Sequence, residues 1–241
     1  MIRALAIFLL ILVISSCKKE SKLVLANGRE MTRIVELNNE LNHFTINDNF
    51  DIQLTEDSIF ECRISGPKNI LKHLIISQDG NRFEIINPTV GKIVRPQEEL
   101  LLDIHYPRFD SLNLTGYGFI SNNDTLRTLN FISTYFARVN LDLSINTSNL
   151  YFTQQDGANQ INLSGNCDNL YIYHYALGNI NASELFVENG HIHHNGESDI
   201  LANILESGIF EMRGTGNLII PSYPTEYTTD FTNSGEIIIS P

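Results

Sequence analysis

The segment Gly190-His191-Ile192-His193-His194 brings imidazoles close enough together to hold a metal ion. In an extended strand alternate side chains share a face, so His191 and His193 point the same way. Neutral imidazole is a common ligand of zinc and its neighbours, and a carboxylate often completes the set. Glu188 and Glu197 flank the pair, and His174 precedes His191 by a little less than one repeat, near enough in a repeating fold to stack beside it. The pattern lacks a cysteine partner and the helical His-Glu spacing of metalloproteases. The expectation is therefore an outward polar face with solvated imidazoles. His191 and His193 are the weaker, metal-binding alternative, and no cofactor is assigned.

Three other sets of residues bear on chemistry. Carboxylates stacked on one face of a β-coil can act as acid and base on a glycan, but Asp142, Asp156, Asp168 and Asp199 occupy different places relative to the glycine turns. A solvated acidic surface is the expected reading. Ser207-Gly208 and Ser234-Gly235 are turn chemistry, and no Gly-x-Ser-x-Gly elbow is present. In Tyr171-Ile172-Tyr173-His174-Tyr175 three phenols alternate along one face, with Tyr151 and Tyr135 earlier in the chain. Facing outward they form an aromatic strip suited to a sugar or a protein partner. Facing inward they need hydrogen-bond partners. The outward placement turns Leu170 and Ile172 into the core, and Tyr171, Tyr173 and Tyr175 are the candidate contact residues.

The elements that must position these side chains repeat. From Leu112 to Gly216 a short alternating strand, a Gly or Asn turn and another short strand recur, as in Asn113–Ile120, Gln155–Ile161, Tyr175–Ile180 and Glu206–Phe210. The apolar residues after the turns, Ile120, Val139, Ile161 and Ile180, follow one another at nearly equal steps. A near-constant step of about twenty residues indicates a solenoid of stacked coils. Each coil buries a few apolar side chains and lends its backbone groups to the next. Gly116, Gly157, Gly178, Gly190 and Gly208 are expected to supply positive φ or tight corners, and the many asparagines to tolerate left-handed ones. Pro221, Pro224 and Pro241 are expected to blunt the open last edge.

Before the repeats, strands are expected at Phe44–Ile46, Phe50–Leu54, Ile59–Ile64 and Leu100–Tyr106. Lys68 to Leu74 suits one or two helical turns. Gln78-Asp79-Gly80-Asn81 between Ile75-Ile76 and Phe83–Ile86 signals a hairpin, and Asn87 to Gln97 reads as a loop. Cys62 and Cys167 are either buried thiols or a disulfide; spacing leaves both open.

The chain begins as an exported one does. Ala4 to Ile14 is an apolar run behind Arg3, and Ser15-Ser16-Cys17 follows. A membrane span needs roughly twenty apolar residues, so this run is a signal-peptide core. Val13-Ile14-Ser15-Ser16-Cys17 resembles a bacterial lipobox, which makes Cys17 the lipidated first residue after cleavage. Several acyl chains hold a protein stably on a membrane. The resulting divisions are a signal peptide at 1–16, a lipidated polar tether at 17–30, an N-terminal β region at 31–107 and repeated β-coils at 108–241. Loss of Arg3 with the leader takes the net charge from −12 to −13. That charge opposes binding to nucleic acid or directly to anionic lipid, so the anchor is the expected membrane contact. Lys18-Lys19, in place of an acid-rich run, points to the periplasmic side of the outer membrane, though the surface side stays open.

Taken in order, the Phe50–Leu54 strand, Leu100 to Pro107, Leu112–Gly118, the glycine-turn coils, Asn217–Pro221 and Ser234–Ile237 resemble one family. It is the putative auto-transporter adhesin, head-GIN-domain family of Bacteroidetes-type lipoproteins, and the resemblance runs from about Glu40 to Ser240. The family's Ser-Gly turns are eroded here at Thr134–Ala137 and Tyr175–Gly178, and its Gly before the late Pro is replaced near Tyr223-Pro224. The resemblance implies a right-handed β-helix-like stack and no catalytic residues. The expectation is an all-β, lipid-anchored envelope protein with a small N-terminal sheet, acting as a non-enzymatic adhesion or surface-interaction module. Glycans and envelope proteins are the expected partners. A carbohydrate-active or glycan-binding β-helix protein is the alternative, and a metal-binding envelope protein the next.

Overall fold

The computed structural model describes residues 29–88 and 100–240. The signal peptide, Cys17, nearly all of the tether and most of the Asn87–Gln97 loop lie outside the described residues. The chain runs β1 (Glu30–Glu36), β2 (His43–Asn47), β3 (Asp51–Thr55), β4 (Glu61–Pro67), α1 (Lys68–Leu71), β5 (Ile75–Asp79), β6 (Arg82–Ile86) and β7 (Leu101–His105). It continues with β8 (Ser111–Asn122), β9 (Phe131–Gln154), β10 (Gln160–His174), β11 (Asn179–His194), β12 (Ile200–Met212), β13 (Leu218–Ile220), β14 (Glu226–Phe231) and β15 (Ile237–Ile239). The protein is a β-solenoid of about six turns. Among the described residues no helix is long and apolar enough to cross a membrane.

Alternation of apolar and polar residues along each strand lines up between rungs because the pairing is parallel and in register. One inward row runs Leu102, Ile52, Ile120, Leu141, Ile161, Ile180, Ile200, Leu218, Ile237. The repeat step expected from sequence is right in size but misplaces one rung: Val139 pairs with Gly118, and Leu141 stands in the row. A bulge lengthens this rung. Leu114 pairs with Thr134 and Gly116 with Ala137, so β9 carries one extra residue at that corner. There Phe136 takes φ 47, and its N–H is bonded by Asp156 Oδ1 from the next rung.

The glycines and asparagines differ from expectation. Gly116 and Gly157 do have positive φ, but Gly178, Gly190 and Gly208 do not. A Cβ on Gly190 would lie 2.3 Å from the Ile204 side chain, and one on Gly208 would lie 2.4 Å from Phe210. Those positions are glycine because core side chains fill the space. Among the described residues no asparagine has positive φ. Asparagines instead form a ladder: Asn169 Nδ2 donates to Asn149 Oδ1 at 3.2 Å, Asn189 Nδ2 to Asn169 Oδ1 at 3.1 Å, and Ser207 Oγ to Asn189 Oδ1 at 2.8 Å.

The N-terminal strands belong to the same sheet. β2 and β3 form a rung between β6/β7 on one side and β8 on the other. Side-chain bonds span this out-of-order junction at a constant offset of 68 residues, including His43 Nδ1 with Ser111 Oγ at 2.7 Å and Thr115 Oγ1 to Asn47 Oδ1 at 3.0 Å. β1 pairs antiparallel with β4, β4 with β7, and β5 with β6 in the hairpin around Gly80. β1 was not foreseen, because its exposed residues do not alternate. In α1 Ile70 and Leu71 are buried, as is Leu74 just beyond it. Phe44 meets Phe83, Tyr106 and Phe109 at ring distances of 5.7, 5.4 and 5.0 Å, closing the core at this end. Cys62 and Cys167 are buried free thiols, pushed up to about 12 and about 11 by loss of solvent. The prolines expected to cover the last edge, Pro221 and Pro224, lie instead in the turn between β13 and β14.

Candidate functional site

Parallel register carries side chains of like position into rows, and one outward face is built of rings. Tyr151, Tyr171, His191 and Ile209 form one row, and Thr153, Tyr173, His193, Glu211 and Asp230 the next. Tyr175 follows at the corner, its N–H bonded to Gln154 O at 2.8 Å. Leu170 and Ile172 are fully buried, so the tyrosines between them face out: Tyr171 is half-buried, Tyr173 is 36% exposed and Tyr175 is 45% exposed. The structure therefore places Tyr171, Tyr173 and Tyr175 on one exposed face.

The rings do not all offer their flat sides to solvent. Tyr151 and Tyr171 stack on each other at 4.4 Å with planes 4° apart. Tyr175 stacks on His193 at 5.2 Å, and Tyr173 lies 6.0 Å from the same ring. Rungs about 4.8 Å apart impose this spacing. What the face presents is mainly ring edges, phenol hydroxyls and imidazole nitrogens, with the end rings of the stack open.

His191 and His193 do share a face, and a single carboxylate bridges them. Glu211 Oε1 lies 3.3 Å from His191 Nε2, and Oε2 lies 2.7 Å from His193 Nδ1. The bond from His193, then that from His191, holds the Glu211 carboxyl below the usual range. Glu211 was missed because it sits one rung on, a distance in sequence that only register converts into contact. The expected partners Glu188 and Glu197 are not part of this cluster. Among the described residues no group of three or more His, Cys, Asp and Glu side chains is arranged to hold a metal.

His174 does not stand beside His191, contrary to expectation. The rung is longer than the interval between those two histidines: Tyr171 pairs with His191, and His174 pairs with His194. The even position turns both rings inward, in a column of Gln154, His174, His194 and Met212, where each is fully buried. His174 Nδ1 and His194 Nδ1 are 3.1 Å apart, and Gly196 N–H donates to His194 Nδ1 at 3.2 Å. His194 Nδ1 is thus the acceptor and His174 Nδ1 carries the proton. Both Nε2 atoms lack an ordinary hydrogen bond among the described residues, as does the Gln154 side-chain amide. Burial first, then the neighbouring imidazole, depresses His174 to about 4; burial does the same to His194.

The acids serve as caps or stay at the surface. Asp156 caps Phe136, and Asp199 Oδ1 accepts from the backbone and side chain of Asn217 at 2.9 and 3.0 Å. Asp142 lines a shallow depression with Asn162 and Glu184. Asp168 contributes its backbone carbonyl to Asn189 Nδ2 at 3.4 Å. Sequence reasoning also missed a bridged imidazole at the N-terminal sheet. His105 Nδ1 is 2.8 Å from Asp57 Oδ2 and its Nε2 is 3.3 Å from Asp103, and the bond to Asp57 raises the His105 pKa.

A family model described as "Putative auto-transporter adhesin, head GIN domain" matches residues 40–224. Among solved structures, an adhesin-like protein from Bacteroides fragilis superposes with a TM-score of 0.79 at 21% identity, over 88% of this chain and 97% of that one. A protein from Parabacteroides distasonis described as lipid binding gives 0.64 at 16% identity, over 89% and 98%. An adhesin-like protein from Parabacteroides merdae gives 0.51 at 13%, over 89% and 98%. At these identities the likeness is one of fold. No curated protein matches the chain.

Proposed function

Because the chain belongs to the putative auto-transporter adhesin, head GIN domain family, we propose that it is a non-enzymatic adhesion module of the cell envelope that binds a partner through its outward ring face. One observation carries this reading: Tyr173 and Tyr175 stand exposed, with the half-buried Tyr171 on the same outward face, beside the His191–Glu211–His193 cluster. A rigid ladder repeats such groups at fixed spacing, so many modest contacts add up on a broad partner surface. Phenol and imidazole combine apolar area with hydrogen bonding, the mixture that binding faces favour. Since the rings largely stack on one another, an envelope or host protein that meets their edges fits better than a sugar laid flat on one ring. Glycan binding is the second reading, favoured by the open faces of the end rings.

Replacing Tyr171, Tyr173 and Tyr175 together with Ser is expected to leave the circular dichroism spectrum intact and to cut adhesion of producing cells to protein-coated and glycan-coated surfaces at least tenfold, about 1.4 kcal/mol. Unchanged adhesion by a folded variant would sink the proposal. Attachment to the membrane would be through Cys17. Labelling growing cells with a radioactive fatty acid is expected to mark the full chain and to leave Cys17→Ala unmarked. Equal labelling of the two would remove Cys17 as the anchor.

A further inference from the structure

The two ends of the solenoid are finished differently. At the N-terminal end antiparallel strands flank the first rungs and four aromatic rings fill the core. At the other end, among the described residues, β14 pairs with β12 alone and β15 with β13 alone. Every residue of β14 is exposed, Tyr227 by 48% and Phe231 by 46%. Yet register pairs Tyr227, Thr229 and Phe231 with Gly208, Phe210 and Met212, which puts them on the inward side. They are core positions with no rung above them. An open cavity of about 610 Å³ lies beside them, lined by Tyr223, Phe231 and the turn from Asn233 to Ile237.

We propose that this end docks on the same end of a second copy of the chain, β14 against β14, antiparallel, about a two-fold axis through Thr229. Backbone direction, side-chain face and charge each narrow the choice. Thr232 N–H bonds to Met212 O at 3.0 Å, so even-numbered residues turn their backbone groups toward β12. Alternation then aims the N–H and C=O of Tyr227, Thr229 and Phe231 at the open edge. A two-fold axis normal to the sheet keeps inward side chains inward, so only residues of like face pair. Centring on Thr228 would set Glu226 against Asp230 of the second copy, and centring on Asp230 would set that carboxylate against itself. Centring on Thr229 pairs Tyr227 with Phe231 of the second copy, Thr228 with Asp230, and Thr229 with Thr229. No like charges meet, the aromatic pairs extend the core, and all three outward backbone pairs find partners. The closed symmetry stops growth at two copies, which disposes of the exposed edge without fibre formation.

Sedimentation of the purified full chain in mild nonionic detergent tests this. The expected result is a concentration-dependent species of twice the chain mass. Thr229→Pro, which removes an N–H that β12 does not use, is expected to give the single-chain mass, and Thr229→Val to keep the dimer. A second measurement does not depend on the proline variant folding. Paired residues of this kind have Cα atoms ~5.5 Å apart, within disulfide reach, so Thr229→Cys is expected to cross-link two copies on mild oxidation and Thr228→Cys is not. A full chain that remains single at every concentration overturns the proposal. So does a dimer indifferent to Thr229→Pro, or equal cross-linking at the two positions. A single chain that takes up an added extended peptide at β14 also overturns it, and assigns the edge to another protein.

Discussion

Acidification from neutral pH to about 4 is expected to cost the folded chain on the order of 6 kcal/mol, about 3 for each imidazole of the buried His174–His194 pair. Both imidazoles are fully buried and both are depressed from 6.5 to about 4. Unfolded, each accepts a proton near 6.5. Folded, each resists until about 4. Over that window the unfolded chain binds more protons, so stability is fully present above 6.5 and is lost as pH falls. Geometry gives the reason. One Nδ1 proton is already shared over 3.1 Å, and a proton added at His194 Nδ1 would set two N–H groups against each other and leave a cation without water. His193 beside the pair opposes protonation of His194, while Asp199 favours it. Other groups titrate nearby, so the check is a comparison. Urea unfolding from neutral pH to pH 4 should give a steeper decline for the natural chain than for the double variant His174→Leu, His194→Leu. Parallel declines would show that the column does not control acid stability.

Gly165→Ala is expected to destabilise the chain by about 3 kcal/mol or more, and Gly80→Ala by roughly 1 kcal/mol. Both residues have positive φ, +107 at Gly165 and +54 at Gly80. The difference lies in what a side chain would meet. A Cβ at Gly165 would sit 2.0 Å from Ile145 O on the preceding rung, whereas nothing lies within 4 Å of one at Gly80. The carbonyl belongs to a laddered rung, so relief requires two rungs to part. Melting temperatures of the two variants check this, and equal losses would mean that the corner at Gly165 opens at little cost.

How far the site could be read in advance follows from register. Tyr171, Tyr173 and Tyr175 alternate with Leu170 and Ile172, and local alternation was enough to predict that the tyrosines share a face. His174 could not be placed that way. Whether it stands beside His191 or beneath His194 depends on the exact length of that rung, and Tyr171 pairing with His191 decides it. Glu211 lies 18 residues beyond His193, and only the shortened β11–β12 register brings the two within 2.7 Å. The bulge at Tyr135-Phe136 shows the same limit: it makes that rung one residue longer, and the row runs through Leu141 where Val139 was expected.

The sequence by itself determined that the chain is all β and built of coils about twenty residues long. Those properties are written in apolar spacing and turn residues, which act over a few positions. Tertiary structure alone decided that β2 and β3 lie between β6/β7 and β8, since that order rests on pairings 68 residues apart that leave no local trace. It also decided that the asparagines form ladders, that two histidines are core residues, and that the N-terminal end is closed while the last rung is open. Each depends on which strand lies beside which, and a strand's own residues are chosen for their face, not for their neighbour.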